Sequence, residues 1–155
     1  MSSKKRKPLS FYLLVFLMLF LALGGLYGGF GLILRPDGSI LQMPLSFLEG
    51  TPFINYLIPG IILLFFMGIV PSFLVYPLVA KPYWRWAGIF NIYKDMHWSW
   101  TYSLYTGIIL VLWMDFQLMI IGYGAVIQTI FSFYGIILVI VSLLPSLKRY
   151  YNLKD

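Results

Sequence analysis

From Trp98 to Leu147 the chain carries a single charged residue, Asp115. About 20 apolar residues suffice for one helical crossing of a bilayer, so this interval is long enough for two and must turn within it. "GYG" at Gly122 to Gly124 supplies the break. Two further apolar runs precede it. The pattern predicts an all-α membrane protein, a four-transmembrane-helix bundle with crossings at about 9–34, 55–80, 99–121 and 125–147. Residues 1–155 form one domain in this reading, with tails at 1–8 and 148–155 and a structured outer loop between the first two helices.

Composition agrees with lipid as the solvent. The 155 residues are 61% hydrophobic and only 10% charged, against roughly 25% charged in soluble domains. Cysteine is absent, which excludes disulfides, thiolate metal sites and thiol redox chemistry. The single histidine is too little for a histidine metal centre, so no metal and no cofactor is expected. The first apolar run is longer than a signal-peptide core and no A-x-A-like site follows it, so it is expected to stay as a helix.

The net charge of +6 is a topology signal. Every Lys and Arg except Arg35 falls in one of three blocks: Lys4 to Lys7, then Lys81, Arg85 and Lys94, then Lys148, Arg149 and Lys154. An even number of crossings puts these blocks on one side, and the positive-inside rule makes that side the cytoplasm. Nucleic acid is not expected as a partner, because its binding surface gathers charge on one folded face. Tyr83, Trp84, Trp86, Trp98 and Trp100 sit beside the second block as an aromatic belt. The segment around them reads as a partly helical stretch lying on the inner leaflet.

Small residues suggest which helices touch. "GGLYGGFG" holds the overlapping pairs Gly24/Gly28 and Gly25/Gly29. Gly24, Gly28 and Gly31 share one face, and Gln128, Ser132, Gly135 and Ser142 share another on the fourth crossing. Close packing of these two stripes is expected in the outer half of the membrane. On the second crossing, Pro71 lies deep enough to remove a helical hydrogen bond and kink the helix.

Polar groups at membrane depth are the ligand-binding or ion-pair candidates. Asp115 lies about 10 Å from the outer end of its helix at 1.5 Å per residue. Isolated there it is costly, and Arg35, the lone outer cation, is its candidate partner. Trp113 and Gln117 share a different face of the same helix, and Gln117 with Gln128 is a candidate amide contact. His97 stands at the inner interface with no second histidine or acidic cluster beside it, and no nucleophile triad or phosphate loop occurs.

The outer loop reads "RPDGSILQMPLSFLEGTPFINY" from Arg35. Pro-Asp-Gly predicts a turn with the Asp37 carboxylate accepting from backbone N–H groups. "PLSFLEG" predicts a short helix ended by Gly50, and Thr51 with Pro52 predicts the start of the next helix. Together these make an ordered lid.

"GLYGGFGLILRPDGS", "LEGTPFINYLIPGI", "HWSW" and the Trp113, Gln117, Gly122 set resemble a family of small four-helix bacterial integral membrane proteins of unassigned function. The resemblance covers about residues 23–150 and implies four helices in a bacterial inner membrane. It implies no activity. The functional expectation is a non-enzymatic accessory or binding component. It would contact membrane lipids, a hydrophobic small molecule, a membrane-protein partner or a second copy of itself through its outer half. The alternative is a small proton- or ion-coupled transporter or channel subunit using Asp115 and Arg35.

Overall fold

The computed structural model describes residues 6–123 and 126–154. Lys4 and Lys5 of the first basic block, and Gly124 and Ala125 where the turn and the fourth crossing were expected to meet, lie outside the described residues. Among the described residues the chain forms an all-α bundle with four helices long and apolar enough to cross a membrane. We number them α1 (Leu9–Leu34), α2 (Leu57–Ala80), α3 (Trp98–Ile121) and α4 (Val126–Leu143), followed by a short α5 (Pro145–Tyr151). The fourth crossing stops four residues short of the sequence expectation. Pro145 disfavours helical backbone at Leu144, which takes ψ 134°, and α5 starts anew from it.

Helix α2 is not uniform. Leu64–Ile69 is a π-helical segment, and the backbone N–H of Val70 reaches back to the carbonyl of Phe65. Pro71 follows directly. A proline ring crowds the carbonyl four residues earlier and offers no N–H, and π widening is one way a membrane helix accommodates that. Ser72 adds a bond from its hydroxyl to the Gly68 carbonyl at 2.8 Å. The proline irregularity therefore takes the form of a widened turn.

The packing partners differ from the expected ones. Helix α1 lies most closely on α2 and not on α4. Gly25 meets the backbone of Met67 and Gly68, and Gly29 meets Leu64, so tightly that a Cβ at either would overlap backbone atoms. Gly60 returns the contact against Leu32. On the other side Gly135 of α4 meets Gly107 and Val111 of α3. Of the expected α1 stripe, Gly24 is exposed and only grazes Phe131, Gly28 faces Leu63 of α2, and Gly31 lies under Ile40 and Leu41 of the loop. Ser132 has a buried hydroxyl without a hydrogen-bond partner. Two glycine pairs interleave on α1, and the structure uses the pair that faces α2.

The chain is thus two close helix pairs, α1/α2 and α3/α4. The largest core cluster ties them together at the end that carries the basic blocks, through Leu14, Met18, Leu74, Trp100 and Leu138 among others. A smaller cluster of Leu21, Met67, Leu110 and Met114 sits nearer the loop end. Tyr134 on α4 crosses to α1, its hydroxyl donating to the Leu17 carbonyl at 2.6 Å.

The loop between α1 and α2 is folded, as expected. The Asp37 carboxylate accepts from the Ser39 N–H at 3.0 Å, and Gly38 takes φ +80° where a Cβ would strike the Met43 carbonyl. That accepted bond, with Arg35 nearby, holds the Asp37 carboxyl below its ordinary value. Short 3-10 turns follow at Ser39–Leu41 and Leu45–Leu48, and Tyr56 pins the loop by donating its hydroxyl to the Pro44 carbonyl at 2.7 Å. Thr51 does not begin α2. Its hydroxyl oxygen accepts from Phe53 N–H in a local turn, and Asn55 accepts from Leu57 N–H where the helix starts.

Gly25→Val is expected to overpack the α1/α2 contact and destabilise the fold by about 1–3 kcal/mol or more. Gly24→Ala, whose added carbon reaches no atom closer than Phe131 at 3.9 Å, is expected to be neutral. Thermal melts of the two variants in one detergent check this; equal melting temperatures would refute the assigned contact.

Candidate functional site

Because the helix pairs are joined mainly at the basic end, they leave space between them nearer the loop. Helix α2 presents Ile62 and Leu63 before its widened turn and Phe66 and Met67 within it, and α3 faces them with Ile109, Leu112, Trp113 and Phe116. Between them is a cleft of about 240 Å³ with an apolar lining. Phe66, Leu112 and Phe116 on its rim are exposed, so it opens sideways, toward the lipid in a membrane.

A second, smaller space of about 40 Å³ adjoins it and shares Leu63, Trp113 and Phe116. Its walls are Leu32 of α1, Pro59 of α2, and Gln117 and Ile120 of α3. Met43, Leu48, Phe53 and Tyr56 of the folded loop close the rest. The loop is therefore a lid on this chamber, and the open cleft continues from beneath it.

Trp113 and Gln117 come together here, as their shared helix face predicts. The Trp113 Nε1 is buried without an acceptor. An unmade bond of that kind costs about 1–3 kcal/mol. Gln117 lines the chamber, and among the described residues nothing hydrogen-bonds its amide. The expected Gln117–Gln128 contact is not formed. Gln128 is buried on α4 and satisfied elsewhere.

The Arg35–Asp115 pair is likewise not formed. Arg35 is exposed just past the end of α1, its N–H bonded to the Gly31 carbonyl. Asp115 is exposed on the flank of α3 that also shows Ile108 and Met119, turned away from the Trp113 face. Among the described residues no ion pair joins the two. Helical phase decides the matter, because 3.6 residues per turn put position 115 nearly opposite 113 and 117.

The basic end holds a hydrogen-bonded cluster that sequence reading did not anticipate. The segment between α2 and α3 is helical only in part, as expected. It is a chain of turns with one 3-10 turn at Trp86–Gly88. Trp98 and Trp100 leave the expected belt and are buried. Trp98 donates to the Pro82 carbonyl at 3.0 Å and Trp100 to the Ser142 carbonyl at 2.7 Å. Tyr83 and Trp86 stay exposed, as belt residues do. Asn91, also buried, donates to the Met96 carbonyl and accepts from Thr101 at 2.6 Å. Residues 150–153 close the cluster. Tyr151 donates its hydroxyl to the Leu78 carbonyl, its own carbonyl accepts from His97 N–H, and Leu153 N–H reaches Asp95. Lys81 caps α2 in a left-handed conformation, φ +49°, with its ammonium 3.3 Å from the Tyr150 ring centre and donating to the Tyr150 carbonyl.

His97 is at the middle of this cluster. One ring nitrogen is 2.8 Å from the Ser99 hydroxyl and the other 3.2 Å from the Pro82 carbonyl. Burial holds its pKa below 6.5; the Pro82 carbonyl opposes that shift and the Lys81 charge adds to it. These contacts make His97 a bridge between helix ends. Among the described residues no three His, Cys, Asp or Glu side chains gather as metal ligands do.

No family model, curated protein or solved structure matches this chain. The resemblance noted from its motifs therefore reaches no further than four apolar helices.

A histidine whose folded pKa is depressed takes up its proton more readily once unfolded. Stability is then full above about pH 6.5 and is lost as pH falls from there through the folded pKa. The melting temperature is expected to drop between pH 7 and pH 5. His97→Gln, which does not titrate, should flatten that slope at the cost of a lower melting temperature at pH 7. An unchanged slope would assign the effect to other groups.

Proposed function

We propose that this multi-pass membrane protein is a non-enzymatic binding component of a bacterial cytoplasmic membrane. In this reading the basic end lies on the cytoplasmic side, and the lidded half takes up an apolar chain from a lipid or a hydrophobic small molecule. The observation that carries the proposal is the cleft of about 240 Å³ between the π segment of α2 and α3. Its lining is apolar, its mouth opens toward the bilayer, and its inner end continues under a folded lid. Ligand sites of this kind combine apolar walls with a few polar groups, and here Trp113 and Gln117 supply them. Among the described residues that line the cleft, none is an acid, a base or a nucleophile. The orientation rests on the basic blocks at one end.

A second reading, a proton- or ion-coupled transporter or channel subunit, has one observation in its favour. Asp115 is exposed on the flank of α3, where a carboxylate in lipid needs a partner or water. That role would need other copies or another protein, because Arg35 does not meet it within the chain.

Native mass spectrometry after mild detergent extraction tests the first reading. The wild type is expected to retain an apolar molecule, and Ile109→Trp, which fills the cleft, is expected to lose it without a lower melting temperature. Equal retention by both would remove the cleft from consideration. Asp115→Asn is expected to leave any proton or cation flux in proteoliposomes unchanged; abolished flux would favour the second reading.

A further inference from the structure

The turn formed by residues 86–92 lies at the opposite end of the molecule from the cleft and owes nothing to it. Its exposed side chains are of the wrong kind for water. Ile89, Phe90 and Ile92 are 71, 72 and 69% exposed. Three of its backbone carbonyls, those of Ala87, Gly88 and Phe90, are met by side chains of the chain itself. Tyr102 donates to the Ala87 carbonyl at 2.9 Å, and Tyr105 to the Phe90 carbonyl at 2.9 Å. The Lys94 ammonium donates to the Gly88 carbonyl at 3.0 Å. Water would do this for a solvated loop without tyrosines. Lipid does not, and irregular backbone survives near it only where its polar groups are met from within.

The two tyrosines also fix where the turn lies. Tyr105 is seven residues past the first residue of α3, about 10 Å along the helix axis. Its side chain leans back toward the helix start, and with Thr101 bonded to Asn91 at 2.6 Å the turn is held beside the first turns of α3. Arg85 and Lys94 stand at its root. The Arg85 carbonyl accepts from the Gly88 N–H, and the Lys94 ammonium meets the carbonyl of that same Gly88. Arg85 is exposed and Lys94 has further N–H donors to give.

We propose that residues 86–92 insert shallowly into the leaflet at the basic end, and that Arg85 and Lys94 bind the phosphate groups of anionic phospholipids above the inserted side chains. Apolar side chains below two cations match the layering of a leaflet, acyl chain beneath headgroup. An extramembrane protein partner would not require the carbonyls to be closed by tyrosines beforehand.

The absence of cysteine from the chain makes single-cysteine spin labelling unambiguous. Nitroxides at Phe90→Cys, at Ile140→Cys on the exposed face of α4 and at Ser39→Cys on the outer turn are compared in lipid nanodiscs. Oxygen-over-nickel accessibility at position 90 is expected to approach that at 140. A value matching position 39 would overturn insertion. The cations are tested by the lipid that full-length protein retains from mixed phosphatidylglycerol and phosphatidylcholine. Wild type is expected to enrich phosphatidylglycerol, and Arg85→Gln with Lys94→Gln is expected to lower that enrichment roughly tenfold. Arg85→Gln alone, which leaves the Lys94 bond to Gly88 in place, is expected to lower it by a smaller factor. Unchanged enrichment in a folded double variant would overturn headgroup binding.

Discussion

Pro71 withholds a backbone N–H in the middle of a helix built to cross lipid, where no water can take the place of a lost bond. Much of the molecule can be followed outward from that constraint. The π-helical turn at Leu64–Ile69 stands directly before it, and that turn carries the residues of α2 that matter most elsewhere. Met67 and Gly68 receive Gly25, and Leu64 receives Gly29. The same segment turns Phe66 and Met67 toward α3 as one wall of the cleft. A local backbone problem thus sits between a backbone-to-backbone helix contact and the open cleft.

Closeness on one side and openness on the other follow from side-chain size. Glycine lets α1 and α2 meet backbone to backbone, and Gly107 with Gly135 does so for α3 and α4. Between the pairs the contacts are made by large side chains, such as Tyr134 of α4 reaching Leu17 of α1 and Tyr151 of α5 reaching Leu78 of α2. Dense at the basic end, these bridges thin toward the loop. The lid covers part of what remains, held by Tyr56 and by a turn that Asp37 and Gly38 define.

What the sequence made legible was whatever depends on near neighbours. The four crossings follow from uninterrupted apolar runs, and the Asp37 turn from three consecutive residues. The placement of Trp113 with Gln117 follows from one helical repeat. What it hid depends on contacts between distant residues. Gly24/Gly28 and Gly25/Gly29 are equivalent as patterns, and only the position of α2 selects the second. Trp98 and Trp100 look like interfacial anchors until Pro82 and Ser142 are found beside their indole nitrogens. Arg35 and Asp115 invite pairing by charge, but helical phase and the fold of the loop keep them apart. The hydrogen-bonded cluster around His97 had no sequence signal beyond a high density of aromatic and polar residues, because its partners come from residues 78, 82, 99 and 151.

The closure of that cluster by residues 150–153 has a consequence for assembly in the cell. A ribosome delivers α1 through α3 to the membrane well before Tyr151 and Leu153 exist. Until they emerge, the Leu78 carbonyl, the His97 amide and the Asp95 carbonyl have no partner from that segment. Those three bonds tie the ends of α2 and α3 to a segment that is translated after both.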